Sequence, residues 1–279
     1  MKLRLMTYNV HRCVGVDGAL DIRRIAGVIA RERPDIVALQ ELDVGRARTG
    51  GVDQAHAIAS ELGMHFHFHP AFNIAEELYG DAILSTVPLT VRRAGALPTS
   101  PSVRGLEPRG ALWVTVEVDG CALQVFNTHL GLVPHEQRAQ ADALLTPDWL
   151  AHPDCTDPAL LVGDFNATAQ HSTYRRFASR LEDAQARVRR AGRRLRTFPS
   201  RMPMLRIDHV FVSRSVRVTG VHVPRHALAR IASDHLPLVV DFRIDRRGWA
   251  ERPAVDAAAP VEAVAAPVEV DDEAVDRAA

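Results

Sequence analysis

Short apolar runs with the length and composition of β-strands dominate this sequence, and several of them end in a polar residue. Only Asp119 and Gly120 separate the runs 110–118 and 121–130, and Asp-Gly is a favoured two-residue turn for a β-hairpin. The pattern predicts a fold in which strands outnumber helices, with strands at 3–10, 35–41, 64–70, 80–86, 89–97, 110–118, 121–130, 159–163, 206–213, 216–224 and 236–244.

Helical periodicity interrupts the strands at a few places. Asp21 and Asp53 are suitable N-cap residues, and Pro34 stops the first helical pattern after Arg33. Helices are therefore predicted at 21–33, 53–62 and 134–150, with a further one beginning near Ser172.

Length and composition are compatible with one large domain followed by a tail. The chain has 279 residues, of which 47% are hydrophobic, so we expect a single domain over 1–245. Residues 246–279 combine Ala, Pro and acidic residues, and we expect them to be disordered. Residues 251–279 carry a charge of about −6, which leaves about +6 on the rest of a chain whose formal net charge is zero. That charge suits anionic substrates but is too small to require nucleic acid.

The three cysteines are odd in number and show no CxxC spacing, which argues against both a disulfide framework and a zinc knuckle. No apolar run approaches the length of a membrane span, and the first ten residues lack the apolar core of a signal peptide. We therefore expect a cytoplasmic monomer without an integral membrane segment.

Polar residues interrupt the apolar runs in a way that indicates a site. A buried strand ends in such groups where they meet water, a metal or a substrate. We expect the side chains concerned to converge from several strand ends, and they are Asn9, Glu41, His129, Asp164, Asn166, Asp208, Asp234 and His235.

These residue types favour hydrolysis assisted by a hard cation. Carboxylates and amides without a cysteine cluster suit Mg²⁺, with Mn²⁺ able to substitute, and Glu41 and Asp234 are suitable ligands. Such an ion lowers the pKa of a bound water, while a histidine paired with an aspartate can transfer protons. The motifs GxSxG, GxxxxGKS and GxGxxG are absent, so serine hydrolases, P-loop enzymes and dinucleotide-binding enzymes are disfavoured.

The ordered set TYNV, LQE, GDAILS, NTHL, GDFNA, IDHVFVS and SDHLPLV resembles the endonuclease/exonuclease/phosphatase superfamily over residues 3–244. This superfamily includes deoxyribonucleases, apurinic endonucleases, sphingomyelinases, inositol polyphosphate phosphatases and deadenylases. The resemblance implies an α/β fold, a four-layer α/β/β/α sandwich with two packed mixed β-sheets flanked by helices. It also implies a metal-dependent phosphoester hydrolase.

The resemblance assigns metal and substrate contacts to particular residues. Glu41 would bind magnesium, with Asp234 near that ion and Asn9 ordering the site. Arg109 falls where related enzymes often place a phosphate-binding arginine, a contact that suits the guanidinium.

The remaining motifs carry the catalytic roles that the resemblance implies. His129 would contact the substrate phosphate, Asn166 would hold a phosphate oxygen, and Asp164 would orient or deprotonate the attacking water. His235 would polarise the phosphate or transfer a proton, with Asp208 fixing its imidazole by a hydrogen bond.

Each motif also has an ordinary structural interpretation. GDFNA alone is compatible with a strand-to-turn junction held by local hydrogen bonds, and His129 alone with a structural histidine. Their joint occurrence in order favours a site. Asp81 departs from the family pattern, in which many relatives have asparagine, and is either an indirect ligand or a strand-edge residue.

Three further features leave alternatives open. Arg48, in RARTGG at 46–51, would bind a substrate anion or belong to a flexible loop. His65, His67 and His69 share one strand face, and we favour a solvent-facing rim over a metal site there. The basic run at 187–196 would follow a nucleic-acid backbone or form a solvated surface.

The leading hypothesis is a magnesium-dependent phosphodiesterase, with nucleic acid and phospholipid headgroups both open as substrates. The aromatic content of 5% gives little support to single-strand nucleic-acid binding. RTGGVDQ and HLGL look similar to small bacterial family members, some of which are associated with phospholipid enzymes. The alternatives are a phosphomonoesterase acting on a lipid, inositol or sugar phosphate, and a non-catalytic binding module.

Overall fold

A computed structural model describes residues 2–74, 76–100, 105–187 and 195–244. Its strands are β1 (Lys2–Asn9), β2 (Ile36–Val44), β3 (His65–Ile74), β4 (Glu77–Ser85), β5 (Leu89–Ala96), β6 (Gly110–Val118), β7 (Cys121–His129), β8 (Ala159–Asp164), β9 (Glu182–Asp183), β10 (Asp208–Val212), β11 (Val216–His222) and β12 (Leu238–Ile244). Its α-helices are α1 (Ile22–Glu32), α2 (Gln54–Leu62), α3 (Pro134–Leu144), α4 (Ser172–Ala178) and α5 (Ala227–Ala232), and 3-10 turns span His11–Cys13 and Ala47–Thr49.

The strands form two six-stranded sheets. The first sheet has the order β11-β12-β1-β2-β4-β3, and the second has the order β5-β6-β7-β8-β10-β9. Each sheet contains one parallel pair, β1 with β2 and β7 with β8, because α1 and α3 provide the crossover connections that parallel strands need. The other described pairs are antiparallel, so both sheets are mixed.

The sheets pack face to face, with helices outside them. In β8, Leu160 and Val162 belong to the core between the sheets, whereas Leu161 points away and packs with Phe126 and Phe211 in a second core beneath α3 and α4. Helices α1, α2 and α5 pack together on the side of the first sheet. The predicted four-layer α/β/β/α sandwich is confirmed.

Several local sequence signals act as predicted. The carboxylates of Asp21 and Asp53 cap α1 and α2 by accepting backbone N–H bonds at 3.2 and 2.9 Å. Asp119 and Gly120 have φ values of 51° and 72°, the two positive values that a tight type I′ hairpin turn requires. The three cysteines are free and buried.

Some element boundaries differ from the prediction. Helix α3 ends at Leu144 and not near Leu150, because Pro147 lacks a backbone N–H and disfavours helical geometry in Thr146 before it. Helix α5 was not predicted; the side chain of His226 caps it by accepting a bond from Ala229 N–H.

Two predictions concern segments outside the described residues. The tail at 246–279 lies beyond the last described residue, and most of the basic run at 187–196 falls in the undescribed stretch 188–194.

None of the described helices is both long enough and apolar enough to span a bilayer.

Candidate active site

One end of the second sheet carries three ionisable side chains in a row. Asp164 is the last residue of β8, and it pairs in register with His129 of β7 on one side and with Asp208 of β10 on the other. Side chains alternate between the two faces of a strand, so all three share the face that carries Leu160 and Val162 into the core between the sheets. The strand register alone therefore brings together side chains from three separate segments.

The turn that follows β8 depends on two unusual backbone conformations. Gly163 has a φ of 142°, and a Cβ atom at this position would overlap the carbonyl oxygen of Thr128 in the neighbouring strand. Asn166 has a φ of 48°, which asparagine tolerates better than most residues. Its N–H donates to Asp164 Oδ1 at 2.9 Å. The local hydrogen bond expected of a strand-to-turn junction thus fixes the orientation of Asp164.

Strand β2 contains a β-bulge at Glu41. Gln40 and Glu41 both lie opposite the single residue Asp81 of β4, and Glu41 has a φ of 62°. In a regular strand these two side chains would face opposite sides of the sheet. Here both reach towards the second sheet, since Gln40 Nε2 donates to Asn127 Oδ1 at 2.7 Å and Glu41 Oε1 lies 3.9 Å from His129 Nε2. The bulge turns Glu41 towards the site.

Asn127 of β7 supports this bulge from the facing sheet. Its Nδ2 donates to the carbonyl oxygens of Leu39 at 2.8 Å and Ala82 at 2.9 Å, the residue pair next to the bulge. Asn127 is fully buried, and a buried amide is stable only when its polar atoms are bonded. The sequence shows Asn127 as a polar interruption of a strand, but it does not reveal these partners.

Asn9 connects the two sheets at the site. Its Nδ2 donates to Glu41 Oε1 and also to Asp164 Oδ2 at 3.1 Å, while its Oδ1 accepts from the N–H of His11 at 3.1 Å. Its backbone oxygen accepts from the hydroxyl of Ser233 at 2.8 Å. Asn9 therefore holds the first sheet, the second sheet and the segment before β12 together.

His235 and Asp208 form a buried pair beside Asp164. The imidazole Nδ1 lies 3.0 Å from Asp208 Oδ2 and Nε2 lies 3.5 Å from Asp164 Oδ2. Thr197 donates a short hydrogen bond to Asp208, and the ring of Phe198 lies 4.8 Å from the imidazole. Burial alone would lower the pKa of His235, but the carboxylates of Asp208 and Asp164 outweigh it and raise the pKa to about 10. The imidazole is therefore charged at neutral pH.

His129 has the opposite character. Its Nδ1 accepts a hydrogen bond from Arg109 Nη1 at 2.9 Å, because a guanidinium only donates. Its Nε2 lies 3.6 Å from Asp164 Oδ2 and 3.1 Å from the amide nitrogen of Asn166. Burial and the positive charge of Arg109 hold the pKa of His129 well below its usual value. Arg109 Nη1 also contacts Glu107 Oε2 at 2.8 Å.

His11 lies beside Asp234 and is missing from the set that the sequence predicts. It begins the 3-10 turn after Asn9, in which His11, Arg12 and Cys13 have φ values of 45°, 55° and 58°. Consecutive positive φ values are uncommon in residues other than glycine and indicate local strain. The buried His11 Nδ1 has no hydrogen-bond partner and lies 3.9 Å from Asp234 Oδ1. Its only signal in the sequence is its position two residues after Asn9.

The oxygen donors on the first-sheet side of the site fit a hard divalent cation. The side chains of Glu41 and Asp234 are 20% and 35% exposed, so each carboxylate has access to solvent. Asn9 orders Glu41 by a hydrogen bond, and the unpartnered Nδ1 of His11 is a further donor close to Asp234. Two carboxylates with open coordination positions suit an ion that keeps several waters.

A second group, formed by Asp164, Asp208 and His235, is also compact enough to surround an ion. All three side chains are buried, and the imidazole of His235 already bonds Asp208. Burial also raises the pKa of the Asp164 carboxyl above its usual range. These properties favour proton transfer over metal binding for this group.

Arg48 and Asp81 have partners that the sequence did not indicate. Arg48 donates from Nε and Nη2 to the buried carboxylate of Asp43 at 2.8 and 2.7 Å and lies over the ring of Tyr79, so it anchors the 46–51 loop. Asp81 accepts a hydrogen bond from the N–H of Glu41. Burial raises the pKa of Asp81 to about 8, against the opposing effect of Arg109. A carboxyl that is largely protonated at neutral pH is a poor metal ligand and a good support for the bulge.

The three histidines of β3 do not share one environment. His65 is exposed, whereas His67 and His69 are partly buried, and burial lowers the pKa of both. Among the described residues, no compact group of potential metal ligands includes them.

Two packed mixed sheets, with carboxylates, amides and histidines gathered at one end, define the architecture of an α/β-sandwich phosphoesterase. The chain matches the model of the endonuclease/exonuclease/phosphatase family over residues 6–235, and it belongs to that family. Members of the family are phosphoester hydrolases and generally depend on divalent metal ions.

Individual relatives agree with this assignment. An uncharacterized protein of Escherichia coli K12, YbhP, is 25% identical over 253 residues, covering 86% of this chain and 96% of YbhP. The endonuclease/exonuclease/phosphatase of Beutenbergia cavernae is 26% identical with a TM-score of 0.66, covering 87% of this chain and 72% of that one. The mannosyl-6-phosphatase Bt3783 of Bacteroides thetaiotaomicron has the same fold, with a TM-score of 0.68, 21% identity and coverage of 87% and 100%.

Proposed function

We propose that this protein is a magnesium-dependent hydrolase that cleaves a phosphodiester by attack of water. The placement of Asp164 carries the proposal. Its Oδ2 lies 3.1 Å from Asn9 Nδ2, 3.6 Å from His129 Nε2 and 3.5 Å from His235 Nε2. A buried carboxylate surrounded by donors from both sheets suits the positioning and deprotonation of an attacking water.

The other residues supply charge and hydrogen bonds around that point. A magnesium ion held by Glu41 and Asp234 would neutralise charge on a phosphoryl oxygen and lower the pKa of a bound water. Since burial raises its pKa, the Asp164 carboxylate accepts a proton more readily than an exposed aspartate would. The charged His235 is positioned to stabilise negative charge or to donate a proton to the leaving oxygen.

Three groups are assigned to the phosphate oxygens. His129 Nε2 and the Asn166 amide nitrogen lie 3.1 Å apart, so one phosphate group can contact both. Arg109 donates to His129 Nδ1 and adds positive charge. The Arg48 guanidinium is occupied by Asp43, so a substrate contact from it would require a second, simultaneous partner.

Hydrolysis of bis-para-nitrophenyl phosphate tests the proposal directly. The purified protein should release nitrophenol in the presence of magnesium, EDTA should abolish the reaction, and magnesium should restore it. Asp164→Asn preserves the shape of the side chain and should lower kcat by about a hundredfold or more.

A matched control separates catalysis from folding. Asp154→Asn removes the exposed carboxylate that pairs with Arg92, and its activity should equal that of the unaltered protein. If Asp164→Asn keeps full activity, or if activity persists without metal, the proposed mechanism is wrong.

A phosphomonoesterase is the second candidate. It is supported by the fold shared with Bt3783, which is named as a mannosyl-6-phosphatase. Comparing kcat/KM for para-nitrophenyl phosphate and its bis ester distinguishes the candidates, because a monoesterase must accommodate the second charge of the phosphate. A non-catalytic binding module would require loss of a catalytic carboxylate or histidine, and the predicted ones are all present.

A further inference from the structure

Exposed large apolar side chains of the described chain concentrate on loops that border the candidate site. Leu132, three residues after His129, is 71% exposed, and Met202 and Met204 are 65% and 51% exposed. Leu20, Leu205 and Ile231 are exposed as well. Large apolar side chains that stay exposed to water do not stabilise the isolated fold, so their clustering indicates a surface that binds a partner.

Hydrogen bonds join the loop around Val16, the hairpin that carries Arg201, and helix α5. Val16 N–H donates to the carbonyl of Ile231 at 3.0 Å, and Arg201 Nη2 donates to the carbonyl of Val16 at 3.1 Å. Arg230 Nη1 donates to the carbonyl of Arg201 at 2.7 Å. We call this surface the apolar rim; it consists of Leu20, Met202, Met204, Leu205 and Ile231.

The two methionines lie on a tight hairpin with a well-held backbone. Phe198 pairs with Leu205 across this hairpin, and Met204 N–H donates to the carbonyl of Phe198 at 2.8 Å. Met202 N–H donates to the carbonyl of Pro199 at 3.2 Å. The exposure of these side chains is therefore set by an ordered turn that presents them outwards.

The same hairpin contacts the candidate site. Ser200 N–H donates to the carbonyl of Asp234 at 2.6 Å, and the ring of Phe198 lies 4.8 Å from the imidazole of His235. Along the chain, Met202 and Met204 are therefore only a few residues from Ser200 and Phe198, which contact residues assigned to the metal and to the leaving oxygen.

The charge of the apolar rim is positive. Arg201 and Arg230 donate to backbone carbonyls, and in the described part of the chain neither guanidinium pairs with a carboxylate. Asp17 and Asp21, on the Leu20 side of the rim, share Arg24 at 2.7 and 3.2 Å, so the positive charge lies on the side of Arg201 and Arg230. An anionic lipid surface attracts arginines whose charge is not neutralised. Flexible apolar side chains next to those arginines can then insert into the lipid.

We infer that the apolar rim docks the protein on an anionic lipid surface, so that the phosphoester presented to the site belongs to a phospholipid headgroup. The substrate part of this inference rests on the proposed phosphoesterase function. In a bilayer the phosphate lies next to the apolar layer, which matches a hairpin that carries Met202 and Met204 and whose Phe198 ring lies 4.8 Å from the imidazole of His235.

Co-sedimentation of the full chain with vesicles tests the docking surface. The protein should sediment with mixed phosphatidylcholine and phosphatidylglycerol vesicles, and added salt should weaken the binding. Met202→Ser/Met204→Ser should reduce binding by about tenfold, because two apolar side chains no longer enter the lipid. Val52→Ser/Val91→Ser, which changes two exposed valines outside the apolar rim, should bind like the unaltered protein.

Activity measurements separate docking from catalysis. The methionine variant should hydrolyse bis-para-nitrophenyl phosphate normally but release headgroup from phosphatidylglycerol vesicles about tenfold more slowly. The inference is overturned if the unaltered protein does not bind vesicles, or if the methionine variant binds them equally well. A protein partner that binds this surface instead of lipid also overturns it. Vesicle binding without turnover of any phosphoester supports docking and overturns the proposed function.

Discussion

At the scale of single residues, the His235–Asp208 pair is the most specific feature of the site. Asp208→Asn keeps the shape of the side chain but removes the charge that stabilises the imidazolium. We expect kcat on bis-para-nitrophenyl phosphate to fall by about a hundredfold or more, with a much smaller change in KM, because the pair acts on charge that develops during the reaction.

The control for this variant is another buried aspartate on the neighbouring strand. Asp183 accepts bonds from Tyr174 and Arg206 at 2.6 and 2.7 Å, and it pairs in register with Phe211, three residues from Asp208 along β10. Asp183→Asn should therefore lower the melting temperature without a comparable loss of kcat. Equal kcat values for the two variants would contradict the role assigned to Asp208.

His209, the next residue in β10, should make the free energy of unfolding depend on pH. It is fully buried among aromatic rings, donates to the carbonyl of Ala167 at 2.7 Å, and burial lowers its pKa to about 4. As pH falls below about 6.5, the unfolded chain binds a proton at this residue while the folded chain does not. The free energy of unfolding should decrease by about 3 kcal/mol between pH 6.5 and pH 4 from this group.

Denaturant titrations at neutral pH and just above pH 4 measure this effect. His209→Gln retains a donor for the Ala167 carbonyl but does not titrate, so its stability should depend less on pH over that interval. The same pH dependence in both proteins would show that His209 does not contribute.

At the scale of elements, the bulge in β2 determines where Glu41 points. Asn127→Leu should remove the bonds to the Leu39 and Ala82 carbonyls and leave these oxygens buried without partners. We expect a loss of about 3 kcal/mol in the free energy of unfolding. Because Glu41 would no longer be held towards the site, the magnesium concentration needed for half-maximal activity should also rise.

Gln124→Leu in the same strand is the matched comparison. Gln124 is a buried amide that accepts from Trp113 and Thr115 on the opposite face of β7. Its loss should destabilise the fold without changing the dependence on magnesium. If Asn127→Leu shows an unaltered magnesium dependence, the bulge does not control the metal site.

Local sequence signals predicted most elements, and the failures have physical causes. Period-two patterns and the Asp119–Gly120 turn were sufficient for all the described strands except β9, because both signals are local and β9 has only two residues. The bulge at Glu41 was not predictable, since it depends on Asp81 in β4 and Asn127 in the other sheet. Helix α5 is only six residues long, too short for a periodic pattern to be evident.

At the scale of the whole molecule, the candidate site exists only because the two sheets pack against each other. The ordered motifs named residues that the structure brings together, but they did not predict that Asn9 Nδ2 bonds Glu41 in its own sheet and Asp164 in the facing one. Likewise, no local pattern predicts that His11 lies beside Asp234 or that Thr197 donates to Asp208, since these partners come from other segments of the chain.

Metal binding should therefore stabilise the entire fold. A cation that binds only the folded chain raises the free energy of unfolding by about 1.4 kcal/mol at a concentration ten times its Kd. For a domain of this size that corresponds to an increase of about 3 to 6 °C in the melting temperature. Magnesium should produce this increase, and sodium chloride of equal ionic strength should not.

The Glu41→Gln variant tests whether the magnesium-dependent increase in melting temperature comes from binding to Glu41 and Asp234. Removing one of the two solvent-accessible carboxylates should abolish the magnesium-dependent increase. It should leave the melting temperature without metal unchanged or slightly higher, because Glu41 and Asp234 no longer repel each other in the empty site. Asp208→Asn, which changes only the proton-transfer pair, should retain the increase. The reverse result, with Glu41→Gln still stabilised by magnesium and Asp208→Asn not, would assign the ion to Asp164, Asp208 and His235 instead.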